Sequence, residues 1–194
     1  QKGVFALGTV GAGTGATTAT VKGGIGSASA KTASGHTIAV LMAVNAMGAA
    51  TVGDTKHFWS APFEQDDEFG GLGLPATFTA DHMALRMKGV ALKATTIGVV
   101  VTDAVLTKAQ AHRLSIMAHD GLARAVLPAH LPGDGDTIFS AATGKIPMED
   151  MGAFAELCHL ATLVTARAVA RGVFEATALP NANAQPSWRD RFGG

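Results

Sequence analysis

Two short apolar runs dominate the hydrophobic pattern, Thr37 to Val44 (TIAVLMAV) and Thr96 to Thr102 (TIGVVVT). Each is rich in β-branched residues and bounded by polar or turn-forming positions, which predicts a buried strand. After the second run the apolar spacing changes to that of a helix. Leu114, Met117, Ala118, Leu122, Ala125 and Val126 recur on one face. Thr107 and Gln110 form a capping-box pattern at its start, and Pro128 ends it. The loop Pro132-Gly133-Asp134-Gly135-Asp136 leads into another strand, Thr137 to Ala142. A last helix is predicted from near Pro147 to about Ala178, with Phe154, Leu157, Leu160, Ala161, Val164, Ala168 and Val173 on one side. The tail, Pro180 to Gly194, is polar and expected on the surface.

The stretch before the first run is built from turns. Gly11-Ala12-Gly13-Thr14-Gly15 reads as a glycine-rich loop, Thr17 to Val21 as a short strand, and Lys22-Gly23-Gly24-Ile25-Gly26 as a second glycine segment. Residues 51–94 carry Asp54, Glu64, Asp66, Asp67 and Glu68 among Pro62, Gly70, Gly71, Gly73 and Pro75. That is loop chemistry, and a loop this long in one domain is usually functional or flexible. Strands paired with two helices predict a layered α+β domain.

Composition narrows the options. The chain has 194 residues, of which 47% are hydrophobic and only 15% charged, so a disordered chain is ruled out. Lys+Arg and Asp+Glu number 15 each, which leaves no electrostatic reason to bind nucleic acid or an anionic membrane. The apolar residues are interrupted too often to form a membrane-spanning stretch. The single cysteine, Cys158, excludes an internal disulfide framework and a cysteine zinc site. No cofactor is expected. The glycine loop lacks both the helix and the distant acidic residue of a dinucleotide site. The seven histidines show no zinc-helix spacing.

Two features remain as candidate chemistry. Ala94-Thr95-Thr96-Ile97-Gly98 places a hydroxyl pair at the mouth of a buried strand, directly after a polar loop. Asp134-Gly135-Asp136 places two carboxylates on a tight turn entering a strand. Taken alone, ordinary strand and turn chemistry accounts for both better than a catalytic role does.

A resemblance separates these readings. Thr95-Thr96-Ile97-Gly98-Val99-Val100, Thr102-Asp103-Ala104 and Leu106-Thr107-Lys108-Ala109-Gln110 resemble the start of the β-subunit in the DmpA-type L-aminopeptidase/D-esterase family. Met117 to Arg124 (MAHDGLAR) and Asp134-Gly135-Asp136-Thr137 resemble the same subunit. The glycine segments, Ala43-Val44-Asn45-Ala46 and Glu68-Phe69-Gly70-Gly71 resemble the end of its α-subunit. That family includes β-peptidyl aminopeptidases and 6-aminohexanoate-oligomer hydrolases.

The resemblance implies an αββα sandwich and a self-processing amino-terminal-nucleophile hydrolase without metal or cofactor. Residues 1–94 would be the end of the α-subunit, with the long loop at 51–94, and residues 95–194 the β-subunit. The chain would cut itself between Ala94 and Thr95, leaving Thr95 as nucleophile with its own α-amine as base. Residues 76–94 would then be poorly held. Asn45 would serve the oxyanion hole, Lys22 would lie near the nucleophile, and Asp134 and Asp136 would orient the amine and hydroxyl or bind a substrate ammonium. Two departures stand out: Ala94 occupies a position where Asn or Gly is familiar, and roughly the first half of a family member, including a region that supplies an aromatic site residue, has no counterpart here, in a chain that contains no Tyr.

The implied partners are a short peptide or amide substrate, a missing amino-terminal segment of the same protein, and further copies in a homo-oligomer of αβ units. A cytoplasmic location is expected, with secretion left open. Two alternatives are an acyltransferase of the ornithine acetyltransferase type and an unprocessed, non-catalytic homologue.

Overall fold

The computed structural model describes residues 4–89 and 94–193. Its elements run β1 (Ile25–Lys31), β2 (Thr37–Ala43), β3 (Ile97–Ala104), α1 (Lys108–Ala125), β4 (Thr137–Ile146), α2 (Met151–Phe174) and α3 (Trp188–Phe192). The four strands form one mixed sheet in chain order. β1–β2 and β2–β3 are antiparallel, and β3–β4 is parallel, as the crossover through α1 requires.

One face of this sheet carries the core. Ile38, Val40 and Met42 of β2, and Val100 and Ala104 of β3, point toward Leu114, Ala118 and Leu122 of α1 and Leu157, Ala161 and Val164 of α2. α2 lies over β1 and β2, α1 over β3 and β4, and the two helices pack on each other. α2 is long and apolar enough to cross a bilayer by length and composition, yet most of it is buried in this core. On the other face Leu41, Ile97 and Phe139 are exposed and line a shallow apolar concavity of about 260 Å³. The described residues thus hold one sheet and one helical layer, an α+β arrangement.

The strands β2 and β3 and both long helices occur where the hydrophobic pattern puts them. Thr107 caps α1 by accepting from the Gln110 backbone N–H, and the capping box is complete. α2 is shorter than expected, because Asp150 caps it and it ends at Phe174.

Two local expectations fail. Thr17 to Val21 is not a strand; only an isolated bridge links Thr17 with Lys22. The strand is instead β1, made of small residues because α2 lies almost in contact with it. A Cβ on Gly26 would collide with the Ala168 carbonyl oxygen of that helix. The tail is not merely superficial. Ser187 and Asp190 form a capping box that starts α3, and Trp188 is buried against Phe58 and Phe174.

The long loop is also better anchored than its composition suggests. Phe58 and Phe69 sit in the core. Glu68 is held by a two-pronged pair with Arg167 and by Arg171, both on α2. Within the segment expected to be poorly held, most side chains are exposed, but Arg86 pairs with Asp81 and Lys88 is buried. Positions 90–93 of that expectation lie outside the described residues.

Candidate active site

The sheet registers assemble the site. Ala43 stands opposite Ile97 in the β2–β3 pair, so two steps further Asn45 faces Thr95, and the Thr95 N–H donates to the Asn45 carbonyl at 3.0 Å. Ile97 stands opposite Thr137 in the β3–β4 pair, which places Gly135 beside Thr95. Residues 50 and 40 positions apart in sequence therefore meet at one end of the sheet.

The hydroxyl of Thr95 donates to the Ala94 carbonyl oxygen at 2.5 Å. The Gly135 N–H donates to that same oxygen at 3.2 Å. The carbonyl preceding Thr95 thus already has one backbone donor where negative charge would develop. Glycine is required at 135 by close approach, since a Cβ there would lie 2.6 Å from the Thr95 Oγ1.

Around this centre the polar groups are densely tied. The Asn45 Oδ1 accepts from the Thr17 N–H at 3.1 Å and from the Lys88 Nζ at 2.6 Å, which fixes the orientation of its amide. One Asp136 oxygen accepts from the Thr96 N–H at 2.9 Å, and the other pairs with the His130 Nδ1 at 3.1 Å. Asp134 accepts from the Met47 N–H at 3.3 Å, while its Oδ1 is buried with no hydrogen-bond partner. Burial, and then the neighbouring charge of Asp136, push the Asp134 carboxyl above the usual carboxylate range.

Lys22 is buried, and backbone carbonyls surround its ammonium. It donates to the carbonyls of Gly13, Ala16 and Gly23, each at 2.7 Å. Burial lowers its pKa to about 8. Three carbonyls can all be satisfied only by the protonated amine, which favours the charged form. Lys22 therefore holds the glycine segments together behind the site, and no hydrogen bond joins it to Thr95.

Several site groups escape a reading of the sequence. Lys88 is buried beside Asn45, and burial lowers its pKa to about 8, while Asp134 and Asp136 oppose that shift. The Gly135 N–H is a backbone group that no side-chain pattern reveals. His130 adopts a left-handed backbone with φ 56°, a conformation a non-glycine residue enters at a cost of roughly 1–2 kcal/mol. It stands with its ring 5.0 Å from that of His119. Burial, then the nearness of His130, lower the His119 pKa. The His119 Nε2 accepts from the Ile138 N–H at 3.2 Å, as a neutral ring does. Among the described residues no group of three or more His, Cys, Asp or Glu side chains is placed to hold a metal.

The sequence model of Peptidase family S58 matches residues 1–186. The chain belongs to peptidase family S58. A Mycobacterium bovis protein named an uncharacterised aminopeptidase is 40% identical over 206 aligned positions that cover 97% of this chain and 58% of that protein. A Mycobacterium leprae aminopeptidase, also uncharacterised, is 40% identical over 146 positions, covering 75% of this chain and 40% of its own. The alignments thus cover 58% and 40% of the length of these curated relatives.

Solved structures share this fold. A Burkholderia β-aminopeptidase superposes with a TM-score of 0.69 at 22% identity, over 98% of this chain and 53% of that one. The L-aminopeptidase D-Ala-esterase/amidase of Ochrobactrum anthropi, described as a variant of the Ntn hydrolase fold, gives 0.66 at 18% identity over 98% and 52%.

Proposed function

We propose that this S58 chain carries the nucleophile and most of the active site of an amino-terminal-nucleophile aminopeptidase or amidohydrolase. The observation that carries this reading is the meeting of three groups. The Thr95 hydroxyl and the Gly135 N–H both bond the oxygen of the peptide carbonyl preceding Thr95.

In the first stage, Oγ1 attacks the Ala94 carbonyl carbon. The oxygen becomes an oxyanion that the Gly135 N–H stabilises, with the Asn45 amide as the second polar group at that position. The C–N bond breaks, leaving an ester that water hydrolyses. In the second stage Thr95 is an amino terminus. Its α-amine has a reference pKa of about 7.7–8.0 and can take the hydroxyl proton near neutral pH, which activates an otherwise weak nucleophile. A substrate carbonyl then occupies the place vacated by that of Ala94. Asp134 and Asp136 supply negative charge beside it, which suits a substrate bearing a free ammonium, such as a short peptide or an amide oligomer.

The names of the similar proteins, a β-aminopeptidase and an L-aminopeptidase with esterase and amidase activity, support amide or ester substrates of this kind. The acyl-transfer alternative draws no support from these comparisons. The exposed apolar sheet face of Leu41, Ile97 and Phe139 fits packing by a further segment of the same protein, completing a sandwich of two sheets. Assembly of such units into a homo-oligomer and a cytoplasmic location complete the proposal.

The test is a pair of substitutions at the nucleophile. Thr95→Ser should retain part of the self-cut and of the amide hydrolysis, and Thr95→Ala should lose both. Normal hydrolysis by the alanine variant would overturn the assignment.

A further inference from the structure

The self-cut poses a chemical problem that the second stage does not. Before the cut, the Thr95 nitrogen is an amide and cannot act as a base. Some other group must take the hydroxyl proton, and the departing nitrogen must receive one. Lys22 is unsuited, since all three of its protons are engaged by carbonyls. Asp136 already accepts on both oxygens.

Lys88 is differently placed. Its Nζ bonds the Asn45 carbonyl oxygen at 3.3 Å, the same atom to which the Thr95 N–H donates at 3.0 Å. The ammonium thus lies one shared acceptor away from the nitrogen that must leave. The Lys88 backbone N–H donates to the Met47 carbonyl at 3.0 Å, fixing the residue against the strand end that carries Asn45. The side chain is only 4% exposed, in a segment whose neighbours are mostly in solvent.

We propose that Lys88 carries the proton in the self-cut. Its neutral Nζ receives the Thr95 hydroxyl proton as Oγ1 bonds to the Ala94 carbonyl carbon. It gives that proton to the Thr95 nitrogen as the C–N bond breaks. The proton count of the ester-forming step closes without any other reactant, and water then hydrolyses the ester. The chain has one such bond to cut, so Lys88 acts once, and the reaction it completes creates the α-amine that serves as base thereafter.

The charged groups facing Lys88 are Asp134, Asp136 and Lys22, with His130 bound to Asp136. Burial holds the Lys88 pKa at about 8, against the two carboxylates, so part of the population is neutral near neutral pH.

The inference rests on the self-cut proposed above, and the experiment separates the two. The protein is expressed from its complete natural reading frame as uncut precursor, and the cut is followed by intact mass from pH 6 to 9.5. The wild-type rate should rise about tenfold per pH unit and level off near pH 8. Lys88→Gln should slow the cut by roughly 10²–10⁴, the usual contribution of a positioned acid–base group, and abolish that rise. Lys88→Arg keeps the charge and the donors but cannot give up a proton, so it should be equally slow. It remains decisive if the Gln variant fails to fold. Propylamine added to Lys88→Ala should restore part of the rate. A cut in Thr95→Ala would refute the self-cut itself. A Thr95→Ala chain that stays whole, beside Lys88→Arg cutting at the wild-type rate, would overturn only the role of Lys88.

Discussion

Gly135→Ala tests the geometry of the site with a single methyl group. The added Cβ would stand 2.6 Å from the Thr95 Oγ1, 3.5 Å from its Cγ2 and 3.6 Å from its Cβ. Only the contact with the nucleophilic oxygen is forbidden, and it falls about 0.8 Å short of ordinary packing. Either Thr95 rotates away from the Ala94 carbonyl, or the 134–136 turn withdraws and takes the Gly135 N–H with it. A displacement near 1 Å in an attacking group costs roughly 10² in rate. Loss of one oxyanion donor costs roughly 10²–10³ in turnover. We therefore expect self-cutting and amide hydrolysis to fall together by at least about 10². The turn lies at the edge of the domain, so the melting temperature should change little. The assay is the cut fraction by intact mass, with turnover of an amine-bearing amide on whatever protein is cut. An alanine variant that cuts and turns over normally would show that Thr95 and Gly135 are not held as described.

Asn45→Ala should lower turnover by roughly 10²–10³, measured as kcat on the same amide. It should also release Lys88 and the Thr17 N–H, which both bond the amide oxygen. The raised pKa of Asp134 means that the folded state binds more protons there than the unfolded chain, so this group's penalty grows as pH rises through the carboxylate range. Asp134→Asn should accordingly raise the melting temperature at pH 7, and the difference should vanish at acid pH, below the ordinary carboxylate range. Leu122→Ala, in the buried contact of α1, should cost about 2–5 kcal/mol in denaturant unfolding. Activity should survive strong chelators; loss of turnover on chelation, restored by a divalent metal, would contradict the mechanism.

Much of the fold is legible in sequence because its central elements obey simple periods. β2 alternates buried Ile38, Val40 and Met42 with less buried neighbours, and α1 repeats its apolar face behind a complete capping box. β1 is hidden because close packing against α2 selects Gly26, Ala28 and Ala30 rather than large β-formers. The tail is hidden for the opposite reason: one buried Trp188 outweighs a polar composition, although Ser187 and Asp190 advertise the helix start.

For the site, the resemblance picks out Thr95, Asn45, Asp134 and Asp136, and the sheet registers bring them to one end. The resemblance also picks out Lys22, whose ammonium bonds three backbone carbonyls. Lys88, the Gly135 N–H and the His119–His130 pair depend on tertiary placement, which no local pattern encodes. His130 stands out only in the structure, by its left-handed backbone and its pairing with Asp136.

The most direct measurement is amino-terminal sequencing of the purified protein, paired with its intact mass. The account predicts a new amino terminus at Thr95, with the fragment preceding it ending at Ala94. A new terminus at any other residue, or a protein that hydrolyses amides while remaining wholly uncut, would contradict it.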